Sequence, residues 1–150
     1  MTVMTAVPRA LDIHAIGIGI RAALLANPTI AAAVGTRIYP DDDVSSGPFP
    51  YLVYGVVSDQ TQGWYSHAGV NDLWQVTAVD RPAAPGYSTT IVSDLGAAIQ
   101  TALLDTPWTV AGWHLTAVTR ENTRPYTENV QGAIYRYVAI TVRVQAYHLG

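Results

Sequence analysis

The chain has no cysteine. Disulfides, thiolate chemistry and cysteine-ligated metals are therefore excluded. It has no lysine either; all 8 basic residues are arginines. Charge is scarce, with 13% charged residues against about 25% in ordinary globular domains. So little charge leaves a surface that is apolar or neutral-polar, the kind that becomes an interface. The net charge of −3 argues against a sequence-independent grip on DNA, which needs clustered basic side chains. No apolar run approaches the ~20 residues of a membrane span. The start, MTVMTAVPRA, lacks the charged head and apolar core of a signal peptide. These absences predict a soluble protein made in a cytoplasm, with no membrane partner. A length of 150 residues fits one domain, 1–150.

What is present raises one question first. Gly17, Gly19 and Ala22 stand in the G-x-G-x-x-A spacing of a dinucleotide-binding turn, and Asp41, Asp42 and Asp43 follow where that turn wants a ribose carboxylate. The fingerprint needs a strand before its first glycine and a helix whose N-terminus faces the phosphates. The preceding DIHAI is short and carries Asp12 and His14, whereas a buried parallel strand reads as an apolar run. A helix fits better. Ile13, Ile16, Ile20 and Leu24 form one face. Asp12 is placed to cap it, and Asn27-Pro28 ends it, because the residue before proline disfavours the α region. A further short helix, TIAAAVG, closes at Gly35. Each helical glycine costs ~1 kcal/mol relative to alanine, a cost best explained by close approach of another backbone. On the opposite side of the first helix Leu11, Ile18 and Leu25 recur every seven residues, beside Ala15, Ala22 and Ala26. A helix apolar on two faces must be covered on two faces. The second cover is either another chain or the N-terminal arm.

Further along, 51–59 and 72–80 read as strands, with Trp74, Val76 and Ala78 alternating against Gln75 and Thr77. The residues between them predict a projecting loop tipped by Trp64 and Tyr65, set to contact another chain. Residues 88–107 predict a second amphipathic helix with Ile91, Leu95, Ile99 and Leu103 on one face, Ser88 as cap and Pro107 as stop. A third strand region follows, with a turn near Ala111-Gly112, and then a loop, NTRPYT, between Glu121 and Glu128. The last strand divides cleanly. Ile134, Val138, Ile140, Val142 and Val144 share one face; Tyr135, Tyr137, Arg143, Gln145 and Tyr147 share the other. The first face belongs over a core, while aromatic-plus-arginine surfaces are typical of interfaces. Arg136 on the apolar side warns of a bulge near the strand's start. The order α-β-β-α-β-β predicts an α+β fold: a mainly antiparallel four-stranded sheet with two helices on one face.

No catalytic constellation survives inspection. His14, His67, His114 and His148 sit singly on four elements, without partners at ligand spacing. Three adjacent aspartates beside Pro40 read as a solvated turn, since calcium loops alternate their ligands. Glu121 and Glu128 have neither pocket nor partner for acid–base work. No G-x-S-x-G motif or phosphate-binding loop is present. No catalytic, cofactor or metal site is expected.

Read end to end, the pattern resembles the tail completion or tail terminator proteins of long-tailed bacteriophages. The likeness rests on IRAALLANPTIAAAVGTRIYP, then PFPYLVYGVVSDQTQGWYS, the strand LWQVTAVD, the helix IVSDLGAAIQTALLD, the hairpin around VAGWHL and the long last strand. It covers about residues 20–148 and leaves the first nineteen outside. The resemblance implies an α+β subunit, without catalytic residues or cofactors, that forms a homo-oligomeric ring, usually a hexamer. The ring would cap the tail tube at the tail–neck junction of the virion and touch the major tail tube protein and the head–tail connector or stopper. Genomic DNA would pass through unread. Leu11, Ile18, Leu25, Trp64, Tyr65, Tyr135, Tyr137, Arg143 and Tyr147 are the residues expected at subunit contacts. Two alternatives remain: another connector or tube subunit of the virion, and a nucleotide-binding enzyme using Gly17 and Gly19.

Overall fold

A computed structural model of the chain describes residues 9–41, 48–64, 67–81 and 90–149. Its elements run α1 (Arg9–Leu25), α2 (Pro28–Val34), β1 (Ile38–Pro40), β2 (Tyr51–Ser58), β3 (Thr61–Trp64), β4 (His67–Asp80), α3 (Thr90–Gln100), a π-helical turn (Thr101–Asp105), β5 (Trp113–Val130) and β6 (Ala133–His148). The α+β class holds, but among the described residues the sheet has six strands rather than four, and three helices accompany it rather than two. The sheet order is β1-β2-β4-β6-β5, with β3 also paired to β4. All pairings are antiparallel except β1 with β2.

Helix α1 settles the opening question. Gly17 and Gly19 lie inside one continuous helix, and no described strand precedes them. A dinucleotide turn at this position is excluded. Asp12 also lies inside the helix, because α1 begins at Arg9, so it is not the cap. The real cap is at the next helix. The Asn27 side chain accepts from the Thr29 N–H at 3.0 Å and the Ile30 N–H at 3.2 Å, while Pro28 starts α2 with no amide to leave orphaned. Gly35 closes α2 at φ +59°, donating to the Ala31 carbonyl.

The core lies between this helical layer and one face of the sheet. Ile16, Ile20 and Leu24 from α1 are fully buried, as are Leu52, Val76, Ile140, Val142 and Val144 from the strands. From α3, Leu95 and Ile99 join them, with Leu103 from the π turn; Ile91 does not, being 46% exposed. The expected cap Ser88 lies outside the described residues. The helix run ends at Asp105, with Thr106 extended before Pro107, as the proline requires.

Two loop assignments and one bulge are corrected. The segment between the first two strands is a hairpin rather than a projecting loop. Thr61 pairs with Val70 and Trp64 with His67, so β4 is 14 residues long. The NTRPYT loop is strand: β5 runs unbroken for 18 residues through Pro125. Proline is compatible with that position because β5 is the sheet's outer strand. The turn joining β5 to β6 has positive φ at both Gln131 (51°) and Gly132 (82°), the requirement of a tight two-residue hairpin. Finally, the bulges sit in β5, between Leu115 and Ala117 and between Arg120 and Asn122. The register of β6 on β4 is continuous from Arg136 to Tyr147, so Arg136 marks no bulge. Ile134, assigned to the buried face, is only half-buried because it lies beyond the end of β4.

Candidate assembly surfaces

Alternation along paired strands places one set of side chains on the sheet face that carries no helix. Across β2, β4, β6 and β5 the cross-strand rows include Tyr51–Val79–Tyr137–Tyr126 and Leu73–Arg143–Thr119. Rings crowd one end of this face. Tyr126 and Tyr137 stack at 4.5 Å between centroids and 7° between planes. Phe49 bridges Tyr51 at 5.3 Å and Tyr135 at 5.8 Å, and Tyr39 approaches Tyr51 at 5.9 Å. Arg124 lies 5.3 Å over Tyr126 and Arg81 5.8 Å over Tyr135, within cation–π range. The rings bury Val79, 3% exposed, directly between Tyr51 and Tyr137. This face therefore carries a small aromatic layer of its own, with Tyr126 still 37% exposed.

Burial first, and then the Glu128 carboxylate and the neighbouring tyrosines, push the Tyr137 phenol up to about 12. Burial likewise raises Tyr51 and Tyr126. A folded pKa above the ordinary tyrosine value of about 10 means that the folded chain holds the proton. That stabilisation is complete below about pH 10 and is lost as pH rises towards 12. Urea midpoints should fall across this window, and Tyr137→Phe should flatten part of the fall while leaving neutral-pH stability near wild type. An unchanged slope in the variant would assign the effect elsewhere.

Of the nine residues expected at contacts, Tyr135, Tyr137, Arg143 and Tyr147 do share the helix-free face, all half-buried. Arg143 is engaged within the chain, to Glu121 at 2.6 Å and Asn71 at 2.7 Å. Tyr147 packs its ring on His114 at 4.9 Å. Ile18 is 56% exposed on α1, whereas Leu25 packs against the core. The side chains of Leu11 and Trp64, and the whole of Tyr65, lie outside the described residues. The outer side of α1 is partly covered by its own chain. A groove of about 500 Å³ runs between Ala15, Ile18 and Ala22 on α1 and Thr109, Ala111 and Trp113 opposite. The close approach expected at the helical glycines is found at Gly19. A Cβ there would stand 3.0 Å from the Thr109 carbonyl oxygen and 2.9 Å from Val110 Cγ2.

No group of three or more metal-binding side chains occurs among the described residues. His148 packs edge-on against Trp113 at 5.0 Å, an aromatic role. Titration with NAD, NADP or ATP should give no saturable heat; micromolar binding abolished by Gly17→Val would reverse the reading of α1.

The exposed Tyr126 and the tips of β5 and β6 could not be assigned to this surface from sequence, because β5 carries no alternating pattern where both its sides are solvated. The aromatic layer also recruits Tyr39 and Phe49 from loop and edge segments, whose neighbours are set only by tertiary pairing. No curated protein matches the chain. A chain from a structure described as "Virion of native gene transfer agent (GTA) particle" superposes with a TM-score of 0.69 at 18% identity, covering 95% of this chain and 99% of that one. At that identity the likeness bears on the fold. The family described as "Tail completion protein gp17" matches residues 18–148, from the middle of α1 to the last residue of β6, so the chain belongs to the tail completion protein gp17 family, structural bacteriophage virion proteins rather than enzymes.

Proposed function

We propose that the chain is a tail terminator subunit: six copies form a ring that caps the finished tail tube and offers the surface that joins the head connector. The ring sits at the tail–neck junction of the virion and is assembled from subunits made in the host cytoplasm. Its partners are further copies of itself, the major tail tube protein and the connector or stopper. Genomic DNA crosses the ring without being read, in keeping with a net charge of −3. The observation that carries this reading is the helix-free sheet face. An isolated subunit gains little from leaving tyrosines and arginines such as Tyr126 and Arg124 in an unshielded layer, whereas such residues often dominate interface energies.

The test is electron microscopy of purified protein mixed with tail tubes that lack a terminator. A ring of density at one tube end, competent for joining to heads, is expected. Tyr126→Ala combined with Tyr137→Ala should leave a cooperatively folded subunit yet lose tail joining. Subunits found along the whole tube would make the chain a tube protein instead. A single bound copy would defeat the ring.

A further inference from the structure

A closed ring built from one kind of contact needs two different patches per subunit, one meeting the other on the next copy. Both are present on opposite layers of this fold. On the helical side α3 and its π turn present an outer ridge of Ile91, Asp94, Ala97, Thr101 and Asp105, all exposed. Ile91 is 46% exposed although its row-mates Leu95, Ile99 and Leu103 are buried. The run from Thr90 to Asp105 contains no basic residue. From the β5 flank Arg120 donates to the Gln100 side chain at 3.2 Å. On the other layer the aromatic corner presents Tyr126 and Val130, 37% and 40% exposed, with Arg124 and Arg81 over its rings and Glu128 as its one carboxylate on β5 beside them.

We infer that the α3 ridge of one copy docks on the aromatic–arginine corner of the next, with Ile91 against Tyr126 and Asp94 facing Arg124. The inference rests on the ring reading and names the two surfaces that close the ring. Charge decides between the arrangements. A two-fold contact of α3 on α3 would bring two acidic ridges together, and one of corner on corner would bring together two patches in which Arg124 and Arg81 outnumber Glu128. Opposed like charges at an interface cost several kcal/mol. Helix-on-corner pairs acid with base. The groove beside Ile18 and a second one beside Ala23, Ala26 and Trp108 are also apolar places on the helical layer, but no carboxylate is among the lining residues of either to meet an arginine.

The absence of cysteine makes the test direct. Ile91→Cys and Tyr126→Cys chains, mixed on tail tubes and treated with a short bis-maleimide, should cross-link to each other but not to themselves. A chain carrying both cysteines should give a ladder that ends at one closed ring. Cross-linking within either single variant, or visible rings without cross-links in the mixture, overturns the head-to-tail pairing. Wild-type protein that forms no ring on tubes defeats the ring reading, and this pairing with it. Charge reversal checks the same contact. Asp94→Arg or Arg124→Asp alone should lower ring yield by about tenfold or more, the equivalent of ~1.4 kcal/mol, and the two together should restore it. Single reversals that assemble like wild type, or a double reversal without recovery, also overturn the proposal.

Discussion

Replacing Ile140 with alanine should lower the unfolding free energy of the isolated subunit by about 2–5 kcal/mol. Ile140 is fully buried. It sits on β6, between Val76 of β4 and Thr123 of β5, and its Cδ1 lies 3.9 Å from where a Cβ on Gly96 of α3 would be. Strands on both sides and a helix above leave little room for the site to collapse, so the lost burial and the residual cavity add. Against a total stability of about 5–15 kcal/mol for a typical domain, this one change removes a large share. Thr141 is next in the chain but on the opposite, half-exposed face. Its alanine variant should cost under about 1 kcal/mol, the loss of one modest hydrogen bond. Urea unfolding with an unchanged m-value measures both. Equal costs at the two positions would contradict the face assignment of β6.

Gly19→Leu should also destabilise, by about 1–3 kcal/mol before compensation. A leucine gains up to ~1 kcal/mol of helix propensity over glycine. Steric conflict outweighs it, because even a Cβ would stand 3.0 Å from a backbone carbonyl and 3.2 Å from the Trp108 ring. Backbone cannot rotate aside as a side chain can. The Trp108 indole is itself fixed by donating to the Leu103 carbonyl at 3.0 Å. Gly17 is the internal control. Its hypothetical Cβ meets nothing nearer than the Trp74 ring at 3.4 Å, an ordinary contact, so Gly17→Ala should be neutral or stabilising by up to ~1 kcal/mol. Thermal unfolding of the two variants separates these outcomes. Parallel losses at both glycines would mean that α1 packs differently.

The contrast between the two glycines also shows where sequence reading stops. The helical period of Ile16, Ile20 and Leu24, and the break at Asn27-Pro28, were legible because burial and capping leave local patterns. The faces of β6 were legible from Val138 onward for the same reason. Strand β5 was not. From Thr119 to Val130 every residue is exposed, so no alternation marks it, and Pro125 reads as a breaker unless the strand is known to lie at an edge. The hairpin of β3 on β4 was hidden because its register is set by pairing over residues with no apolar rhythm. At the candidate surface, the tyrosines and Arg143 of β6 could be placed on one face. The partners that define that surface, Tyr126 with Arg124 and Tyr135 with Arg81 and Phe49, come together only through the order of strands. Arg143 illustrates the limit: an exposed arginine in sequence, it is held by Glu121 and Asn71 from two other strands, and an ion pair this exposed is worth at most ~1 kcal/mol.

The outer edge of β5 has one more consequence. A long strand with unpaired backbone groups is a template on which other chains can accrete without limit, the route to fibrils rather than to a finite particle. Here Pro125 removes a donor from that edge, and the bulges at Leu115/Ala117 and Arg120/Asn122 interrupt its regular spacing. Arg120, Glu121, Arg124 and Glu128 add charge along it. A protein that joins a virion must not be drawn into open-ended backbone pairing first. The irregular edge of β5 leaves side-chain faces rather than backbone to decide what the chain joins.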